Sequence, residues 1–325
     1  LAYIPIRAIT NVIRHPNFGG EIMVVGLGCE KLTYDRVLPP EDITPENVLT
    51  LQDYAGHDAM MNAILEMADK KLQKLNKRTR EELPLSDLLI GMQCGGSDAF
   101  SGITANPSAG YAADMLVKGG ATVMFSEVTE VRDGVPMLAA RCVSEEVRDK
   151  LAAEMKWYDD YLAEGGVNRD ANPTPGNKKG GITTLEEKSL GCVQKGGAQP
   201  VVDVLTYAQP VTKPGLNLLQ APGNDLVAAS ALALSGCQLV LFTTGRGTPF
   251  GSFVPTMKIS TNTQLAEFKV NWIDFNAGTL VEDEEPQAVL DRFIDKVLAT
   301  AGGERLKHEE TGFKEIAIFK TGVTL

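Results

Sequence analysis

Residues 87–107 read DLLIGMQCGGSDAFSGITANP. The stretch falls into an apolar run ending at Cys94, a pair of glycines followed by Ser97 and Asp98, and the dipeptide Asn106-Pro107. A short apolar run bounded by glycine reads as a buried strand feeding a tight turn. Asn-Pro is the signature of a helix start, with Asn106 expected at the N-cap and Pro107 at the first helical position. The helix so begun runs to about Lys118 and is closed by Gly119-Gly120. A second apolar run, ATVMFSEV at 121–128, follows it. Strand, helix and strand in that order form the unit from which parallel sheets are built.

The same rhythm extends in both directions. EIMVVGLGCEK (21–31) predicts a strand ending in a glycine loop, and HDAMMNAILEMADKKLQKLNKR (57–78) repeats apolar residues at helical spacing and ends in a basic turn. Further helices are expected over 144–162, over TTLEEKSLGCVQK (183–195), over 222–235 and over about 285–300. Strands are expected at 201–205, 239–244, 254–260 and 316–320. The expected fold is therefore α/β: parallel or mostly parallel sheets with flanking helices, in two similar subdomains. Residues 1–165 would form the first and 183–325 the second, joined by a Gly/Pro-rich loop or linker at 166–182.

Composition sets the outer bounds. The chain has 325 residues, 43% of them hydrophobic and 22% charged, enough for a full core. A net charge of −11 argues against a nucleic-acid partner, which requires clustered Lys and Arg. No apolar run approaches the roughly 20 residues of a membrane span and no signal peptide is evident, so a cytoplasmic protein without a membrane partner is expected. Five cysteines, at 29, 94, 142, 192 and 237, are odd in number and widely spaced, as reduced thiols would be. The sequence begins with Leu rather than Met, which reads as a portion of something longer.

Four polar, glycine-rich segments fall at expected strand ends: Gly26–Glu30, Cys94–Asp98, Ser126–Glu127 with Glu130, and Thr243–Gly247. Ligands of open α/β sheets gather at that edge, and glycine lets backbone N–H groups approach them, so an anion- or polyol-binding cleft is expected there. Cys29 and Cys94 are candidate thiolate ligands for iron or zinc, against the plainer role of small residues at tight turns. Glu30, Asp98, Glu127 and Glu130 could hold a hard cation or simply cap and pair. Lys178 and Lys179, in the sequence GNKKGG, read equally as a loop closing on a carboxylate and as a solvated surface. Arg246, between two glycines, suits bidentate carboxylate recognition. The hydrolase elbow and the dinucleotide fingerprint are both incomplete.

The motifs GLGCEK (26–31), MQCGGSDAFSGITANP (92–107), SEVTE (126–130), NPTPGNKKGG (172–181), EKSLG (187–191), APGND (221–225), FTTGRGTPFG (242–251), VPTMKISTN (254–262) and WIDFNAG (272–278) resemble those of the altronate and galactarate dehydratases. The resemblance runs from about residue 15 to the C-terminus. It implies dehydration of a sugar acid to a 2-keto-3-deoxy acid, galactarate being favoured over altronate, with Fe²⁺ or another divalent ion as cofactor and an iron–sulfur cluster as an open alternative. With that chemistry in view, Cys29, Cys94, Glu30 and Glu127 are the candidate metal ligands. Ser97, Asp98, Asn177, Asn224, Asp225, Thr244 and Arg246 become candidates for the substrate, and Lys178, Lys179, Lys188 and His57 for the base. Family members carry a small N-terminal domain not found in this sequence, so that domain or a small partner subunit is an expected partner, alongside homo-oligomerisation. The alternatives are a non-catalytic sugar-acid binding or assembly portion of a split enzyme, and a sulfolactate sulfo-lyase subunit.

Overall fold

The computed structural model describes residues 3–127, 130–282 and 285–321. These residues form two compact units. The smaller runs to Leu83 and takes in the chain from Ile318, and the larger is Pro84–Ala317.

The smaller unit contains helix α1 (Tyr3–Ile13), strands β1 (Val24–Gly26) and β2 (Val48–Thr50), and helix α2 (His57–Leu75). Its two strands pair in parallel, Val25 opposite Leu49. The strand expected over 21–31 thus shrinks to three residues, because from Leu27 onward the backbone turns. Glu30 drives that turn by accepting from the N–H groups of Leu27 and Gly28.

The larger unit begins with β3 (Leu89–Cys94), α3 (Ala105–Lys118), β4 (Thr122–Phe125), α4 (Val135–Ala139) and the long α5 (Glu145–Glu164). Short helices α6 (Pro175–Lys179) and α7 (Leu185–Val193) lead to β5 (Val201–Leu205) and β6 (Leu216–Leu219). Helix α8 (Asp225–Leu234), β7 (Leu239–Thr244), β8 (Thr256–Ser260), α9 (Thr263–Phe268), β9 (Phe275–Asn276), α10 (Pro286–Ala301) and α11 (Lys307–Thr311) complete it. Seven strands form one sheet in the order β5-β6-β4-β3-β7-β8-β9, every pair parallel.

This sheet corrects the expected division at 166–182. Strands from both sides of that segment share the sheet, and β3 is flanked by β4 from before it and β7 from after it. Among the described residues the unit boundary lies at 83/84 instead. The expected strand at 316–320 is also absent; the chain there makes only an isolated bridge, Glu315 to Ser252. The part of 121–128 beyond Glu127 lies outside the described residues.

Burial explains why the central runs were apolar without alternation. Every residue of β4, β7 and β8 is buried, as a parallel sheet covered by helices requires. Helix α3 lays Ala105, Ala109, Ala112, Ala113 and Leu116 into the core, and α10 contributes Phe293, 4.8 Å from Phe275 between ring centres. Helix α8 is buried along its length from Ala228 to Leu234, so apolar residues occupy all its faces. Gly91 in β3 lets α8 close down, since a Cβ there would stand 3.0 Å from Leu232. Among the described residues, no helix is long and apolar enough to cross a membrane.

Candidate active site and metal centre

In the order of the sheet, β3 stands where the chain turns from one direction of growth to the other, and the ends of β3, β4 and β7 lie side by side. Such a switch point opens a crevice at the carboxyl edge. Cys94, Glu127 and Glu130 meet here, buried, with one donor atom from each within 4.8 Å of the others. The Cys94 sulfur lies 2.9 Å from Glu130 Oε2 and 2.9 Å from Ser97 Oγ. Glu127 Oε2 accepts from the Cys94 N–H at 3.1 Å, and its Oε1 accepts from Gln93 Nε2 at 2.9 Å. Glu127 adopts φ 79°, a left-handed conformation costly for a side chain of its size and held in place by the bonds its carboxylate accepts.

Helix α7 and the 3₁₀ turn after it answer the carboxylates with two cations. Lys188 Nζ is 2.7 Å from Glu130 Oε1, and Lys195 Nζ is 2.6 Å from Glu127 Oε2. Lys188 also donates to Asn172 Oδ1 and Asn177 Oδ1 at 2.9 and 3.2 Å. Burial opposes charge on Lys188, but Glu130 and the neighbouring thiol outweigh it, so its pKa rises and it stays an ammonium. At Lys195 burial again opposes the charge, and Cys192, Cys94 and Glu127 outweigh it, so its pKa also rises. Cys192, one helical turn from Lys188, brings its sulfur within 3.8 Å of Glu130 Oε2. The proximity of Cys192, together with burial and the charges of Glu127 and Glu130, holds the Cys94 thiol well above its ordinary pKa. Asp225 is pushed up to about 6, first by burial and then by the charge of Glu130.

A cleft of about 290 Å³ opens against this cluster, with Ser97, Asp98, Asn106, Lys188 and Gln194 among its walls. Lys188 therefore faces both the open cleft and the buried donors. Asp98 is saturated by the protein: Oδ2 accepts from Thr261 and Asn262, and Oδ1 from Ser101 and the Phe100 N–H. It ties the β3 loop to the end of β8. Asn106 is not the expected N-cap; Thr104 holds that position, and the Asn106 amide donates to Gly191 and accepts from Thr243 Oγ1 at 2.8 Å.

The remaining sequence candidates scatter. Asn177 joins the site, donating to the Ser97 carbonyl at 2.9 Å. Thr244 holds its own turn by accepting from Gly247 N–H, and Arg246 is exposed with its stem against Gly96. Asn224 caps α8 through Val227 N–H, and Asp225 opens that helix. Lys178 and Lys179 are exposed on the last turn of α6. Cys29, Glu30 and His57 belong to the smaller unit: Cys29 is exposed, His57 is the exposed first residue of α2, and Glu30 closes its own loop. Lys195 and Cys192 were missed by sequence reasoning. The signal was there: Lys188, Cys192 and Lys195 are spaced i, i+4, i+7, one face of a helix.

One thiol and two carboxylates form a mixed soft and hard donor set that suits Fe²⁺ or Zn²⁺. Two lysines balance the two carboxylates, so a dication would enter by displacing thiol protons, with Cys192 in reach as a further donor. The set fits a single ion. An iron–sulfur cluster fits it poorly, since among the described residues only two cysteines meet here.

Two family models match the chain in succession: the second domain of D-galactarate dehydratase/altronate hydrolase over residues 2–76, and the C-terminal domain of D-galactarate/altronate dehydratase over 85–324. Their junction coincides with the boundary between the two units. The chain is 50% identical over 293 residues to galactarate dehydratase (L-threo-forming) of Escherichia coli K12, covering 87% of this chain and 56% of that protein. It is 48% identical to altronate dehydratase of Bacillus subtilis 168, covering 98% of this chain and 64% of that one. The (2R)-sulfolactate sulfo-lyase subunit beta of Chromohalobacter salexigens is more distant, at 31% over 82% of this chain and 70% of its own length. The chain thus spans somewhat more than half the length of the two dehydratases. On these matches, it belongs to the D-galactarate/altronate dehydratase family.

Proposed function

We propose that this chain carries the active site of a sugar-acid dehydratase, acting on a hexonic or hexaric acid such as galactarate or altronate. The observation that carries the reading is Lys188, a buried ammonium that lines an open cleft and at the same time contacts the donor cluster through Glu130. β-Elimination of water next to a carboxylate needs a cation where the enediolate charge develops, a base for the α-proton and an acid for the departing hydroxyl. Lys188 suits the first role rather than that of base, because its surroundings hold it protonated. Asp225, with a pKa of about 6, is ionised at neutral pH and suits proton transfer. Cys94, Glu127 and Glu130 would hold a divalent ion, which when bound supplies Lewis-acid stabilisation of a hydroxyl or carboxylate oxygen. Arg246, exposed at the β7 loop, suits a second carboxylate.

The test is to incubate the purified chain with Fe²⁺ and with galactarate or altronate, alone and joined to the segment that its longer relatives carry, and to follow keto-acid formation. Product from either substrate supports the reading, with loss of about 10²-fold or more in kcat expected for Lys188→Met. No keto acid from any combination refutes it and leaves a binding or assembly portion as the alternative.

A further inference from the structure

We infer that Cys94 and Cys192 are a dithiol that a peroxide converts to a reversible disulfide. The two residues come from different elements, the end of β3 and the middle of α7, yet both sulfurs reach the same oxygen, Glu130 Oε2, at 2.9 and 3.8 Å. The other cysteines are placed otherwise. Cys29 is exposed in the smaller unit, Cys142 is half-buried and bonds the Leu138 carbonyl, and Cys237 is buried beyond α8.

The pair is shielded from bulky reagents but not far from solvent. Ser97, whose hydroxyl touches the Cys94 sulfur, is part of the cleft wall, so a molecule the size of hydrogen peroxide has one side chain to pass. A second sulfur against the same carboxylate oxygen then intercepts the first oxidation product before further oxygen can add.

The chemistry balances as follows. One sulfur attacks a peroxide oxygen, the O–O bond breaks, the thiol proton leaves with the released hydroxide as water, and a sulfenic acid forms. The other sulfur attacks it, the S–O bond breaks as the S–S bond forms, and a second water carries away the remaining thiol proton. Two thiols lose two electrons and two protons, and one peroxide becomes two waters. This inference concerns the thiols alone and stands whether or not the chain is a dehydratase.

The experiment treats the purified chain with hydrogen peroxide, blocks free thiols with N-ethylmaleimide and maps tryptic peptides with and without dithiothreitol. The expected result is residues 81–118 joined to 189–195, two hydrogens lighter than the sum, separating on reduction, with two of the five thiols lost to titration. Cys142→Ser should leave the link in place, and Cys192→Ser should abolish it. Links to other cysteines, sulfinic or sulfonic acid on Cys94 of the unaltered chain, or thiols at 94 and 192 that survive oxidation would each overturn the inference.

Discussion

Lys195 has no solvent-exposed surface, and its ammonium is held by Glu127 at 2.6 Å with the Phe125 ring 5.6 Å away. A buried pair of this kind is costly to break from one side, because the survivor keeps a charge with no partner. Lys195→Met is expected to lower stability by about 3 kcal/mol, and adding Glu127→Gln to recover most of that loss. Urea denaturation of the two variants checks it; a double variant as unstable as the single one would show that Lys195 contributes by packing alone. Asp225 offers a test by pH. Its pKa of about 6 implies that the acid limb of kcat/KM falls below pH 6 as the carboxylate is protonated. Asp225→Asn should lower the rate and flatten that limb, and an unchanged limb would remove Asp225 from proton transfer. At this scale the sequence displayed Cys94, Ser97, Glu127 and Lys188, since strand ends and a family motif pointed at them. It concealed Lys195 and Cys192, whose partners lie over 60 residues away and become visible only when α7 is docked.

Helix α3 passes so close to the turn carrying Lys195 that a Cβ on Gly110 would overlap the Gln194 carbonyl oxygen. Gly110→Ala must push the two elements apart and draw Lys195 from Glu127, an overpacking loss of about 1–3 kcal/mol. Gly176→Ala in α6, with 3.7 Å to its nearest neighbour, should be neutral or slightly stabilising. Thermal melts of the pair decide it; equal effects would mean that α3 is free to shift. Strand β8 carries a different tension in Lys258, fully buried, bonded to the Phe250 carbonyl at 2.9 Å and lowered by burial to a pKa of about 8. Below pH 8 both folded and unfolded chains bear the proton, and the folded one bears a cost of about 3 kcal/mol. Between pH 8 and 10.5 only the unfolded chain retains it, so this cost disappears as pH rises. Lys258→Met should therefore gain stability at pH 7, by roughly 2 kcal/mol after the lost hydrogen bond, with the advantage shrinking toward pH 10.5. A difference independent of pH would contradict the assignment. Long apolar runs made β3, β4 and β7 legible. Four-residue β6 and two-residue β9 were not, because pairing with a formed neighbour, rather than their own pattern, makes them strands.

The division of the molecule was the least legible feature, since glycine and proline at 166–182 mimic a linker while serving a loop inside one unit. What defines a unit is where its core closes. The seven-stranded sheet, the donor cluster and the cleft all lie within Pro84–Ala317. In the smaller unit the buried apolar residues among those described are few, Ala8, Val37, Leu38, Leu49 and Phe319, the sheet has two strands of three residues, and α2 has none of its residues buried. A two-stranded sheet with so small a core does not support independent folding. Residues 84–317 expressed alone are accordingly expected to unfold cooperatively in urea and to keep near-ultraviolet circular dichroism from Tyr158, Tyr207 and the two tryptophans. Residues 1–83 alone should show little helix and no cooperative transition. A larger fragment with helical far-ultraviolet signal but no near-ultraviolet signal would mean that its packing depends on the smaller unit, and that the site at the β3 edge is completed only in the whole chain.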